Sequence, residues 1–291
     1  MTADQDINGL AAITLVEMMV TIGLSVSLAD VWRVGRNWGL IARAVLANYI
    51  LVPAAAVGLL LLFRANPMVA AGLLVASVCP GAPYGPPFTT MAKGNVALSV
   101  GLMVILAGSS AIVAPLLLQF LLPIVAGDAP LKINVVKMVG TLLGAQLVPL
   151  CAGLLVRQRY PQWAARLKGP AGVLSVLLNL LLLSVIVFVQ FRVLADIHLV
   201  GYIGMMSLII AAVVAGWLSA GRENRKGMVI TTSVRNVGVS LVIVTGSFPG
   251  TAAITSATAY ALCQTIVVLL VAQMWGRLTS SGIASAKMRA A

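Results

Sequence analysis

The chain has 291 residues, 60% of them hydrophobic and 9% charged, with a mean hydropathy of +1.06 and a net charge of +12. That composition excludes a soluble domain, and apolar runs of roughly 20 residues recurring from end to end predict an all-α polytopic membrane protein. The positive charge does not point to nucleic acid, because it sits in the short connections between the apolar runs.

Nine spans are predicted, at about 9–29, 38–63, 68–91, 95–125, 132–156, 170–191, 197–219, 226–247 and 251–276, within one transmembrane domain over 1–291. Residues 1–9 carry Asp4 and Asp6 and no Lys or Arg, the wrong start for a signal peptide. Glu17 in the first span is the acidic residue of the apolar body. Arg33, Arg36 and Arg43 follow that span, and Lys93 follows the third. The segment 157–170 holds four cations with Trp163 and is expected to be an amphipathic anchor at the interface. Residues 127–130 read as a turn, and the tail over 279–291 is expected to be irregular. Counted by alternating connection, fourteen cations fall on one side and four on the other. That bias predicts an N-terminus outside and a C-terminus in the cytoplasm. Without an organellar presequence, the chain suits a bacterial inner membrane.

Two spans are interrupted. The third, 68–91, contains Cys79 to Pro87, where four prolines and the glycines at 81 and 85 forbid a continuous helix. The eighth, 226–247, carries Arg235 near its middle, with Thr231, Thr232 and Ser233 before it and Asn236 and Gly238 after. A guanidinium at bilayer depth costs several kcal/mol, so it must face a protein or water-filled interior. With the fifth span set apart, the breaks fall third in each of two four-span units, and the odd span inverts one unit relative to the other. Two broken helices in inverted repeats predict a transporter whose site lies where they cross. The crossing residues are Pro80, Gly81, Pro83, Gly85, Pro86 and Gly238.

Cys79-Pro80-Gly81, the run Lys93-Gly94-Asn95-Val96-Ala97-Leu98-Ser99, Arg235-Asn236-Val237-Gly238, and Gly23 to Arg33 together resemble the bile acid:sodium symporter family. The resemblance covers nearly the whole chain. It implies ten helices in two inverted repeats, sorted into a panel and a core, with the broken helices crossing in the core and the first of the ten missing here. It also implies sodium sites, and there the residues depart. The family's Glu and Gln of the second broken helix fall at Thr231 and Arg235, its Ser-Asn pair at Gly85 and Pro86, and its two hydroxyls at Ser99 and Met103. Of these, Ser99 remains a plausible oxygen ligand for Na⁺, and a fixed guanidinium opposes a cation nearby.

Arg235 reads either as a fixed charge replacing the lost sodium or as a fork for a carboxylate, sulfonate or phosphate. Glu17 is a candidate counter-charge for it, the alternative being a hydrated position near the interface. Thr231, Thr232, Asn236, Ser99 and Tyr84 are candidate lining residues. Asn48, Gln119, Gln146, Asn179, Gln190 and Gln264 read as interhelical bonds. Cys79, Cys151 and Cys263 lack metal-ligand spacing, and no metal or cofactor is expected unless Na⁺ binds.

The expected function is secondary transport of a small organic anion by alternating access, without the family's usual sodium sites. A sodium symporter with rearranged ligands is the alternative, and a non-transporting membrane sensor the second. Paired carboxylates, His clusters and nucleophile arrangements are missing, so no enzyme is expected. The partners are the anion and the bilayer.

Overall fold

The computed structural model describes residues 3–127, 131, 133–189, 191 and 197–290, with side chains between 6 and 280. Among the described residues the elements are all helical: α1 (Ala3–Ser25), α2 (Leu28–Gly35), α3 (Trp38–Leu62), α4 (Pro67–Val78), α5 (Gly85–Met91), α6 (Val96–Ala126), α7 (Val135–Arg159), α8 (Pro161–Val189), α9 (Leu199–Ser219), α10 (Arg225–Ser233), α11 (Val237–Ser247) and α12 (Ala252–Ala290). Eight stretches are long and apolar enough to cross a membrane, and α4 with α5 makes the ninth predicted span, too short on each side of its break to qualify alone.

Asparagine starts many of these helices. The side chains of Asn37, Asn66, Asn95, Asn134 and Asn236 accept from the backbone N–H of Leu40, Met68, Leu98, Lys137 and Val239, capping α3, α4, α6, α7 and α11. Each cap satisfies a donor that the helix itself leaves unpaired.

Two differences from expectation are local. The segment 157–170 is not a connection, because Pro161 sits well in a first helical turn and α8 begins there, with Trp163 exposed on it. The tail from Thr279 is helical to Ala290, its Ala, Lys and Arg residues being good helix formers. The expected turn at 128–130, with Lys132, Gln190 and Arg192, lies outside the described residues.

The helices sort into two groups. α1 packs on α7 and α8. A Cβ on Gly23 would stand 2.5 Å from the Leu150 carbonyl oxygen, and one on Gly153 would stand 2.4 Å from that of Val20, so the α1–α7 seam tolerates only glycine there. The other group holds α3–α6 and α9–α12, with α4 against α12, α5 against α6 and α10 against α9. α1 also reaches this group, where Leu15 lies over Gly238 of α11 and Asn8 accepts from Thr245 Oγ1 at 2.8 Å.

One end of the bundle is basic and cross-tied. Lys226 Nζ donates to the Ala92 carbonyl at 2.8 Å and to Thr279 Oγ1 at 2.6 Å, and Lys93 Nζ donates to Ser280 Oγ at 2.5 Å. Arg225 stacks on Trp217 at 4.3 Å. α10 therefore begins where α5 ends, and the two broken spans run antiparallel. Trp32, Trp38 and Trp163 are all exposed, as residues of an interfacial belt are.

Candidate functional site at the helix crossing

The first break spans Cys79 to Tyr84, between α4 and α5. Gly81 has φ +84°, and a Cβ there would stand 2.3 Å from the Ala107 backbone nitrogen of α6. Only glycine permits both the conformation and the approach. Pro80 and Pro83 carry no N–H that would otherwise be orphaned at this depth. Gly85 and Pro86, expected inside the break, instead open α5, where a first-turn proline loses nothing.

The second break is Val234-Arg235-Asn236, between α10 and α11. The breaks touch through Asn236. Its backbone N–H donates to the Cys79 carbonyl at 2.8 Å, and its Nδ2 donates to the Gly81 carbonyl at 3.3 Å. Its Oδ1 meanwhile caps α11 by accepting from Val239 N–H at 3.2 Å. From α12, Gln264 serves Arg235 in the same way, Oε1 accepting from its N–H at 3.0 Å and Nε2 donating to its carbonyl at 3.1 Å. Two side-chain amides thus satisfy the backbone that the breaks release.

The Arg235 side chain is different. It is 1% exposed, and its Nε, Nη1 and Nη2 have no hydrogen-bond partner among the described residues. The groups that feel its charge are Tyr260, Cys79 and Tyr49. Tyr49 is committed, donating to the Leu106 carbonyl at 3.0 Å and bonding Ser109 Oγ at 2.7 Å. The Tyr260 hydroxyl is buried and without a partner.

On the side of the crossing facing α6, Ser99 Oγ lies 3.0 Å from Thr231 Oγ1 and accepts from Thr89 Oγ1 at 3.0 Å. A Cβ on Gly85 would stand 3.5 Å from Ser99 Oγ and 3.9 Å from Thr231 Oγ1, so Gly85, Ser99 and Thr231 lie together. Thr232 accepts from Asn48 Nδ2 at 3.3 Å.

Glu17 lies elsewhere, and Tyr84, at the end of the first break, packs among apolar side chains. Glu17 does not meet Arg235: its carboxylate accepts from Thr21 Oγ1 at 2.7 Å and from Ser175 Oγ at 2.5 Å, on α1 and α8. Hydroxyl donors one turn away and on the neighbouring helix satisfy it where it stands. Tyr84 stacks on Phe88, with ring centroids 6.4 Å apart, and packs in the cluster of Ile230, Val234 and Val268. Its hydroxyl is buried and unpartnered.

Thr89, Tyr49 and Tyr260 were not singled out from sequence. For Tyr49 a signal was present: Leu46–Leu51 is π-helical just ahead of Pro53, and the extra residue per turn turns both Asn48 and Tyr49 inward. α7 repeats the pattern at Leu143–Leu147 before Pro149, where Gln146 bonds Ala107 and Ser110.

Two cavities lie at the end of the bundle away from the basic one. One of about 430 Å³ is apolar and walled by α3, α4, α9 and α12, with Leu60, Phe63, Leu73 and Leu208 among its residues. The other, about 360 Å³, lies between α1, α7 and α11 and is lined by Asn8, Lys137, Thr141 and Ser247.

The model of the sodium bile acid symporter family matches residues 12–197, which include the first broken span. The chain belongs to that family. It is 29% identical over 167 residues to a probable sodium/metabolite cotransporter, BASS2, chloroplastic, of Oryza sativa subsp. japonica, a match covering 57% of this chain and 38% of that protein. It is 25% identical over 255 residues to the uncharacterized sodium-dependent transporter YocS of Bacillus subtilis, covering 82% of this chain and 75% of that one. The cavity lined by Lys137 lies between α1 and α7 of the first group of helices and α11 of the second.

Proposed function

We propose that the chain is a secondary transporter of an organic anion, working by alternating access as the core moves against the panel. The observation that carries this reading is the crossing itself: two antiparallel broken spans bonded through Asn236, with a buried Arg235 between them. Irregular backbone at membrane depth is costly except at a site, and a fixed positive charge there favours an anionic cargo. Lys137, which lines the cavity between α1, α7 and α11, adds a second attraction for an anion.

The names of the relatives speak for sodium, and the residues speak against the family's usual sodium positions. Thr231, Ser99 and Thr89 offer hydroxyls that already bond one another, while Gly85 and Pro86 offer no side-chain oxygen. Arg235 adds a permanent cation where a ligand would stand. We therefore read the transport as independent of sodium at these positions. Sodium coupling through ligands placed elsewhere is the second reading, favoured by the relatives' names. The positive-inside bias further supports a C-terminus in the cytoplasm.

Reconstituted liposomes test this directly. Uptake of taurocholate and a panel of small mono- and dicarboxylates is measured with a sodium gradient and with choline in its place. The expected result is uptake of at least one anion at equal rates in both. A saturable sodium requirement supports the second reading, and binding without flux for every anion overturns transport.

A further inference from the structure

We propose that Arg235 and Tyr260 hold one compact inorganic anion, of the size and charge of chloride, inside the core. This goes beyond the transport reading, since it concerns a resident ion and not the cargo.

The guanidinium keeps its charge at any physiological pH, and a buried charge without a partner is strongly destabilising. Its five N–H donors sit at 1% exposure with no acceptor among the described residues. The acidic residue of the apolar body, Glu17, is engaged by Thr21 and Ser175. Asp30 is taken by Arg33, on α2. No compensating negative charge stands beside it among the described residues, and we assign that charge to a bound ion.

Tyr260 supplies the second donor. It lies four residues before Gln264 on α12, so the two share a helix face. Gln264 holds the Arg235 peptide, which brings Tyr260 to the same break. Its hydroxyl is fully buried and unpartnered, whereas that of Tyr49 is taken by Leu106 and Ser109. A fixed guanidinium charge with unfilled N–H donors, together with a phenol O–H free to donate, suits an anion and not a cation.

Compactness follows from the packing. Arg235 and Tyr260 line neither of the two cavities, and both side chains are sealed by the core. Such enclosure favours a small resident ion at the guanidinium itself, and an organic cargo would feel the charge from the crossing without displacing it.

The test is thermal unfolding of the full chain in detergent at constant ionic strength, with chloride exchanged for gluconate and then for bromide or nitrate. The wild type is expected to show a saturable rise of midpoint with chloride. Tyr260→Phe should raise the half-saturating concentration about three- to tenfold, the loss of one hydrogen bond. Arg235→Gln should abolish the response, and Arg159→Gln, exposed at the basic end, should leave it intact. Because Arg235→Gln can fail to fold, a bromide anomalous peak beside the guanidinium in crystals of the wild type provides an independent check. A wild type indifferent to chloride, with no bromide peak, overturns the proposal. Stabilisation by organic acids in place of chloride, lost in Arg235→Gln, also overturns it and leaves the transport reading standing. A chloride response without flux of any organic anion does the reverse.

Discussion

Gln264 pairs with Arg235 as one strand pairs with its neighbour, accepting from its N–H at 3.0 Å and donating to its carbonyl at 3.1 Å. A single side-chain amide closes the backbone of the second break. Gln264→Leu keeps the volume and removes both bonds, leaving a buried donor and acceptor unpaired at a cost of about 2–5 kcal/mol. The expected outcome is a lower unfolding midpoint in detergent, with faster hydrogen exchange confined to 234–237. Unchanged exchange there would show that another group takes over.

Gly81→Ala should be among the most damaging single-methyl additions. It combines φ +84° with a Cβ placed 2.3 Å from Ala107 nitrogen and 2.6 Å from its Cα. Backbone strain and overpacking together cost roughly 3 kcal/mol or more. Ala107→Gly should not rescue it, because the nearest clashing atoms are backbone. Unfolding of the single and double variants checks this, and a rescue would place the break farther from α6.

Glu17 and Arg235 should behave as strangers. In a cycle of Glu17→Gln, Arg235→Gln and the double variant, the stability losses should add within about 0.5 kcal/mol. A larger coupling would put the carboxylate beside the guanidinium in the folded protein.

Ser99→Ala removes the acceptor of Thr89 and the partner of Thr231. The expected loss is about 1–2 kcal/mol, with no change in any response to sodium at fixed ionic strength. A sodium response that disappears with this hydroxyl would make the cluster an ion site.

Gly153→Ala drives a methyl to 2.4 Å from the Val20 carbonyl oxygen, at the seam of α1 and α7. Here the strain falls on the three-helix group and not on the crossing. The midpoint should drop by an amount comparable to other overpacked sites, about 1–3 kcal/mol. Exchange at 234–237 should stay slow, which separates this variant from Gln264→Leu.

Hydropathy located the nine spans, proline the first break and the charge of Arg235 the second, because each is a property of consecutive residues. A run of about 20 apolar residues must cross, and the Pro-Gly run from Cys79 cannot remain helical. The burial of Arg235 and its place at the crossing were legible for the same reason. Its surroundings were not. Glu17 looked like a counter-charge because it is the acidic residue of the apolar body, yet whether two charges meet depends on how α1 is rotated and which group it joins. Only packing decided that, turning Glu17 toward Ser175. Gln264 read as an interhelical bond without a named partner, and Tyr260 as an ordinary residue of a final span, until α12 packed against a break 29 and 25 positions earlier. Sequence determines what each segment must bury; tertiary structure alone decides which segment supplies the partner.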